Sequence, residues 1–365
     1  MPYIETDSVK PIAYSYTHLV CGIVFWLFSF SYLYFYQADV LAAGQHVLSH
    51  GQTHYQNFIG AFLITLVLQI IQVVIFHLSR LTKRAHAITY FPSLLALTVI
   101  TDVSSNINRG FSFGWWYVAI PLLVAAFIGL VWVLRQIEPF EPESVSNGLL
   151  SREMWVNLVV MAVMFVGVGI FSNGDEAFHY RMEMERLIID GKYNKALKVG
   201  QKSTVEDTTL TFLRAFSLSK KGLMGEHFFE YPFIRGANMT LLADTNNLNV
   251  ILLPDSIIIQ HMNNSRVRLD FRLIDLLIDR KLDDFSKIVL SAYPDSMMPK
   301  HYAEALAVWR YNQRKLSEDS LLTSKEKGYI DFINFIGKTP KPNPVTIRRK
   351  YKKTYWYYYK YGKDY

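Results

Sequence analysis

Cysteine is almost absent: the 365 residues hold one, Cys21, so no intramolecular disulfide can form and the redox compartment is left undiagnosed. A phosphate-binding glycine loop, Gly-x-Gly-x-x-Gly and Cys-x-x-Cys are missing as well. Their absence removes the usual sequence signatures of nucleotide hydrolysis, dinucleotide chemistry and thiol redox enzymes. Charge is missing over long stretches. No Asp, Glu, Lys or Arg stands between Lys10 and Asp39, from Tyr55 to Phe76, from Phe111 to Leu134, or from Met154 to Phe171. A shorter uncharged stretch, Ala87 to Ile100, contains Pro92.

A hydrocarbon core about 30 Å thick takes roughly 20 helical residues to cross, and within it the backbone must satisfy its own hydrogen bonds. The uncharged stretches are therefore expected to be helices, with spans at about 17–36, 55–78, 87–102, 113–134 and 154–171. The 87–102 segment is short enough to be re-entrant instead; we count it as a span. The first stretch is too long and too rich in Trp, Tyr and Phe for a cleaved signal, and it is expected to stay in the mature protein. Basic residues near span ends set orientation. Lys10, Arg80, Lys83, Arg84, Arg135 and Arg152 fall on one side of a five-span chain and Arg109 alone on the other. This arrangement predicts a cytoplasmic N-terminus and an exported C-terminal region. Should 87–102 not cross, the side of that region reverses.

Beyond Phe171 the composition changes to charged, amphipathic sequence. Met184, Leu187 and Ile188, then Ala196, Leu197 and Val199, recur at helical spacing around an Asp190-Gly191-Lys192 break. A second hairpin is expected around Lys220-Lys221-Gly222, with Pro232 as its stop. The segment 277–285 repeats the 188–196 pattern, with Asp190, Lys192 and Lys198 answering to Asp279, Lys281 and Lys287 at an offset of 89. The expected fold is all-α: a membrane helix bundle over 1–171, a soluble helical-repeat domain over 172–337 and a basic aromatic tail over 338–365.

Gly191-Lys192-Tyr193, followed after two residues by Ala196-Leu197, resembles the turn and second-helix start of tetratricopeptide repeats, and Lys220 to Pro232 resembles it more loosely. The resemblance covers Glu176 to Asn312. Because 89 is not a multiple of the usual period of about 34 residues, it implies an insertion, placed at 236–260. The whole chain resembles a family of bacterial multi-pass membrane proteins of no agreed activity, best represented in Bacteroidetes. The residues that carry this likeness are Asp39, Gln45-His46-Val47-Leu48-Ser49, Thr53-His54-Tyr55 and Thr354-Tyr355-Trp356-Tyr357-Tyr358-Tyr359. It implies this architecture and a bacterial origin; with the orientation above, an inner-membrane protein with its C-terminal region in the periplasm is expected.

Chemistry has few candidates. His46, His50 and His54 stand at i, i+4 and i+8, so a continuous helix would put three imidazoles on one face, suited to zinc, with Asp39 as a fourth ligand or outer partner. Against this, Gly51 is placed to end the helix, and histidines also suit a membrane interface. Asp39, just after the first span, has a second functional reading as a general base on a lipid-linked substrate, and a structural one as a helix cap. Gln69 and Gln72 share one face of the second span, where helix–helix hydrogen bonds account for them.

The tail is the strongest compositional anomaly. Residues 338–365 carry nine Lys or Arg and one acid, a charge of +8 against +7 for the whole chain. Arg348, Arg349, Lys350, Lys352, Lys353, Tyr355 and Trp356 are the candidates for contact with an acidic surface, the bilayer foremost; the alternative packs the aromatics on the repeats and leaves the lysines solvated. Outside the cytoplasm nucleic acid is not an expected partner. The reading that follows is a non-enzymatic envelope scaffold without a cofactor, binding a protein partner through its repeats. The alternative is an envelope enzyme with Asp39 and the loop histidines at its site.

Overall fold

The computed structural model describes residues 16–110, 112–137, 151–203, 205, 207–234, 248–314, 323–338 and 342–362. Lys10, the first part of the expected insertion, Lys341 and residues 363–365 lie outside them, as do the side chains of Lys83 and Arg109. The described residues form helices and loops, with no strand among them. The chain divides into two compact units, Met1–Asp175 and Glu176–Tyr365.

In the first unit, α1 (Tyr16–Ser31) runs into a π-helical turn (Tyr32–Tyr36), and α2 (Ala38–Leu48), α3 (Asn57–Ser79), α4 (Phe91–Thr101), α5 (Trp116–Ile137) and α6 (Arg152–Phe171) follow. Four helices are long and apolar enough to cross a membrane: Tyr16–Tyr36, Asn57–Ser79, Trp116–Ile137 and Arg152–Phe171. Their outward faces are apolar, as lipid rather than water requires. On α1, Leu19, Ile23 and Leu27 are exposed while Cys21, Phe25 and Ser29 are buried. Most of α5 exposes apolar side chains.

The remaining predicted span, 87–102, is not such a helix. Lys83–Tyr90 is 3₁₀-helical, and only Phe91–Thr101 is α-helical. Pro92 is the physical reason. It has no N–H to give the Ile88 carbonyl in an α-turn, and the Phe91 N–H serves that carbonyl by the tighter bond instead.

This broken segment still runs the length of its neighbour. Near one end the Ala87 N–H donates to Asn157 Oδ1 of α6 at 2.7 Å. Near the other, the Asn173 N–H donates to the Thr101 carbonyl at 3.2 Å. Eight 3₁₀ residues and eleven α residues together rise about 32 Å, close to the ~30 Å of α6. The other helices meet these ends alternately. His18 at the start of α1 packs on His86, and Tyr32 at its far end bonds Ser172. Trp116 at the start of α5 donates to Asp102 at 2.7 Å, and Arg135 near its end donates to the Ser79 carbonyl at 2.6 Å. Five segments therefore lie side by side with alternating direction, and the third is lined with buried polar groups: His86, Thr89, Ser93, Thr98 and Thr101.

The second unit contains α7 (Glu176–Ile189), α8 (Tyr193–Ala196), α9 (Thr208–Lys220) and α10 (Met224–His227). After the undescribed stretch come α11 (Asp255–Met262), α12 (Ser265–Ile278), α13 (Leu282–Ala292), α14 (Lys300–Arg314), α15 (Ser324–Ile336), α16 (Pro344–Tyr351) and α17 (Tyr355–Tyr361). One apolar core runs from Met184 to Tyr358. Three helix–turn–helix junctions share one turn. Gly191, Gly222 and Arg280 have φ of 71°, 66° and 60°. The next residue's N–H reaches back five positions, from Lys192 to Leu187, Leu223 to Leu218 and Lys281 to Leu276, at 2.8–2.9 Å. That bond satisfies a carbonyl the helix end would leave orphaned.

Candidate functional site

The loop histidines do not share a helical face. α2 ends at Leu48, His50 has φ 50°, and Gly51 has φ 74° with the His46 ring against it. Among the described residues no three His, Cys, Asp or Glu side chains are grouped to hold a metal ion. The zinc expectation for His46, His50 and His54 thus loses its geometry, because the glycine turn breaks the helix before the second ligand. His46 and His54 remain close enough to interact: burial first, and then the His54 charge, hold the His46 pKa below its ordinary value. Asp39 lies in the first turn of α2 and is partly buried; Gln37, not Asp39, occupies the cap position.

The tail is likewise rearranged. Residues 342–362 do not form a separate appendage, since Ile347, Tyr351, Tyr355, Trp356 and Tyr358 belong to the core of the second unit. Tyr355 is fully buried and Trp356 is 7% exposed, so neither is available to a surface. Their anchor is Glu304 of α14, itself buried. Its Oε2 accepts the Tyr355 N–H at 2.8 Å and lies 3.1 Å from His301 Nδ1, while its backbone carbonyl accepts the Trp356 indole N–H at 3.1 Å. The tyrosine hydroxyls have a defined task. Tyr355 donates to the Leu277 carbonyl at 3.1 Å and Tyr358 to Ile278 at 2.7 Å, so α17 caps the C-terminal end of α12. Arg280 returns the contact, donating to the Tyr358 carbonyl at 3.1 Å and lying over two tyrosine rings.

The basic half of the expectation keeps its exposure. Arg348, Arg349, Lys350, Lys352 and Lys353 are exposed while Ile347 and Tyr351, i and i+4 on α16, point inward. Lys353 also lies 3.6 Å from Glu230, and Lys350 sits over the Phe335 and Tyr351 rings. The face is therefore cationic with the aromatics beneath it rather than beside it.

Three buried groups were not anticipated. Glu185 of α7 takes three consecutive backbone N–H groups on Oε2, from Ile251, Leu252 and Leu253 at 2.9, 2.6 and 3.1 Å. Burial pushes its pKa up to about 7, against the pull of those three donors and of Arg181. Arg214, also buried, ties the Pro232 and Gly200 carbonyls together. In the first unit, the His18 and His86 rings lie tilted against each other, centroids 4.0 Å apart, beside Phe76. A sequence signal existed for Glu185: with Arg181 it falls on the same helical stripe as Phe178, Met182 and Ile188.

Residues 237–362 match a family of unknown function, DUF6057. The match covers the second unit from before α11 through α17, so it includes Glu304, the tail and the basic face. No curated protein and no solved structure gives a significant match to the chain.

Proposed function

We propose that the protein is a non-enzymatic scaffold or assembly protein of a bacterial envelope, anchored in the inner membrane and binding a protein partner through its helical unit. The observation that carries this reading is the recurrence of one hairpin turn at 191, 222 and 280, which supports a tetratricopeptide-like origin for the unit. Helical repeats present extended surfaces suited to partner binding. Purification of the full chain in mild detergent, with bound metal and co-purifying protein both quantified, tests it. A partner at fixed stoichiometry is expected. Stoichiometric zinc lost in a His46→Ala/His54→Ala variant would overturn the scaffold reading in favour of a site at the first loop.

For orientation, the alternating segments support five crossings rather than four. Arg80, Arg84, Arg135 and Arg152 then gather at one end of the bundle, which favours a cytoplasmic N-terminus and a periplasmic helical unit. Alkaline phosphatase fused after Asn312 should be active. An active cytoplasm-dependent fluorophore at that site would refute the orientation.

The exposed basic face of α16 is the part we assign to anionic phospholipid. Each Lys or Arg near an anionic leaflet contributes about 1 kcal/mol, and salt screens exposed charges over about 8 Å at physiological ionic strength. With Tyr355 and Trp356 buried, attachment through this face is electrostatic alone. With Cys21 replaced by serine, a fluorophore on Val345→Cys should be protected in anionic nanodiscs, with protection lost at 1 M salt as the Debye length falls to about 3 Å. Equal protection in zwitterionic nanodiscs would refute this assignment.

A further inference from the structure

The first hairpin turn opens onto a cleft of about 280 Å³ lined by Gly191, Lys192, Tyr193, Asn194, Lys195 and Lys221. The second turn contributes Lys221, whose ammonium donates to Asn194 Oδ1 and so closes one wall. Lys192 is paired with Asp190 at 2.7 Å. Among the described residues, Lys195 and Lys221 form no ion pair at the cleft.

The chain contains its own control. Under the offset of 89, Asp190, Gly191 and Lys192 correspond to Asp279, Arg280 and Lys281. That third turn keeps the left-handed residue, the returning backbone bond and the Asp–Lys pair, here at 2.8 Å. The residues that follow differ in charge and in use. Tyr193, Asn194 and Lys195 correspond to Leu282, Asp283 and Asp284. Leu282 is buried, and Asp283 accepts hydrogen bonds from Trp309 at 2.8 Å and Gln313 at 3.0 Å, so its carboxylate is engaged by α14. The turn therefore does not need Lys195 in order to form.

We propose that the cleft between the first two turns binds an acidic segment of the protein partner, its carboxylates meeting Lys195 and Lys221 and its backbone crossing the Tyr193 ring. This deepens the scaffold reading and rests on it. Lysine ammonium groups are point charges that take single carboxylate oxygens without a fixed fork geometry. The cleft is too small for a drug-sized ligand and wide enough for one or two acidic side chains.

The test is fluorescence anisotropy of a labelled octa-glutamate peptide on the full-length protein in neutral-detergent micelles. Lys195→Asp, which copies the third turn, should weaken binding about five- to tenfold, and addition of Lys221→Ala should weaken it further. Lys287→Ala, an exposed lysine paired with Asp284, should leave binding unchanged. Equal binding by wild type and Lys195→Asp would overturn the proposal. So would equal weakening by Lys287→Ala, or displacement of the peptide by inorganic phosphate at matched concentration, which would mark a simple anion site. A natural partner retained by the Lys195→Asp/Lys221→Ala variant as by wild type would overturn the cleft alone. Absence of any stoichiometric partner from the wild type would count against the scaffold reading, and the peptide titration would still decide the cleft.

Discussion

Replacing Trp356 with alanine distinguishes a core tail from an adhesive one. The indole is 7% exposed, donates to the Glu304 carbonyl at 3.1 Å and packs on Tyr329 and Phe332 with ring centroids 6.0 and 6.4 Å away. A buried aromatic cut to alanine costs about 3–5 kcal/mol, and a whole domain is stable by about 5–15 kcal/mol. We therefore expect a loss of about 4 kcal/mol. With a urea slope near 2 kcal/mol per molar, the unfolding midpoint of the helical unit should fall by about 2 M. Pulse proteolysis of the full chain in micles of neutral detergent, following fragments of the helical unit, measures this shift. Gly328→Ala presses on the same contact from beneath: an added Cβ would stand 2.7 Å from Trp356 Cη2 and should cost about 1–3 kcal/mol. Truncation after Val345 should unfold the unit outright, since it removes the caps on α12 as well as the indole. A Trp356→Ala midpoint within about 0.25 M of wild type is what a surface residue gives, and it would refute the packing argument.

Other changes probe the remaining buried groups. Glu185 has a folded pKa raised from 4.5 to about 7, so its contribution is fully present below the unfolded value and is lost as pH rises through about 7. The stability of the helical unit should therefore fall by about 3 kcal/mol between pH 5 and pH 8, and Glu185→Gln should flatten that profile; parallel profiles would refute the assignment. Gly191→Ala places a side chain at φ 71° and should cost about 1–2 kcal/mol by chemical denaturation. Arg280→Gly relieves the same strain at φ 60° yet removes the bond to Tyr358, so a net loss of stability is expected, and a gain would show that the staple contributes little. Asn157→Leu leaves the buried Ala87 N–H without its acceptor and should destabilise the first unit by about 1–3 kcal/mol, measured by unfolding in mixed micelles.

Hydropathy and the solvent physics of the bilayer were enough to read the four apolar helices from the sequence, because most residues of such a helix meet lipid or another apolar surface. The same measure finds a segment whose neighbours are protein only as a short uncharged stretch, which left 87–102 open to a re-entrant reading. The 83–101 stretch is sheltered by α3 and α6 and can therefore hold Thr89 against Gln72 at 3.0 Å and Ser93 against the Leu68 carbonyl at 2.7 Å. Its polarity argues against lipid contact and is silent about whether it crosses. Pro92 was visible, but its consequence, a 3₁₀ run that lengthens the segment to about 32 Å, depends on the carbonyl that Phe91 satisfies.

Composition misled at the tail for a related reason. A count of charges and rings over 338–365 averages the two faces of short helices and makes them look like one mixed surface. The helical period separates them: Ile347, Tyr351, Tyr355 and Tyr358 stand four, four and three residues apart and all turn inward, while Arg348, Arg349 and Lys352 turn out. What no local pattern could supply is the partner of that inward face. Glu304 lies more than fifty residues away in sequence and stands among apolar neighbours on α14, where it reads as an ordinary exposed acid until α17 is laid against it. A buried carboxylate is tolerable there because the Tyr355 N–H and His301 satisfy it, and the tail's tyrosine hydroxyls reach the Leu277 and Ile278 carbonyls at the end of α12. The tyrosines are therefore structural, and any binding role for the tail is left to the cations that α16 turns outward.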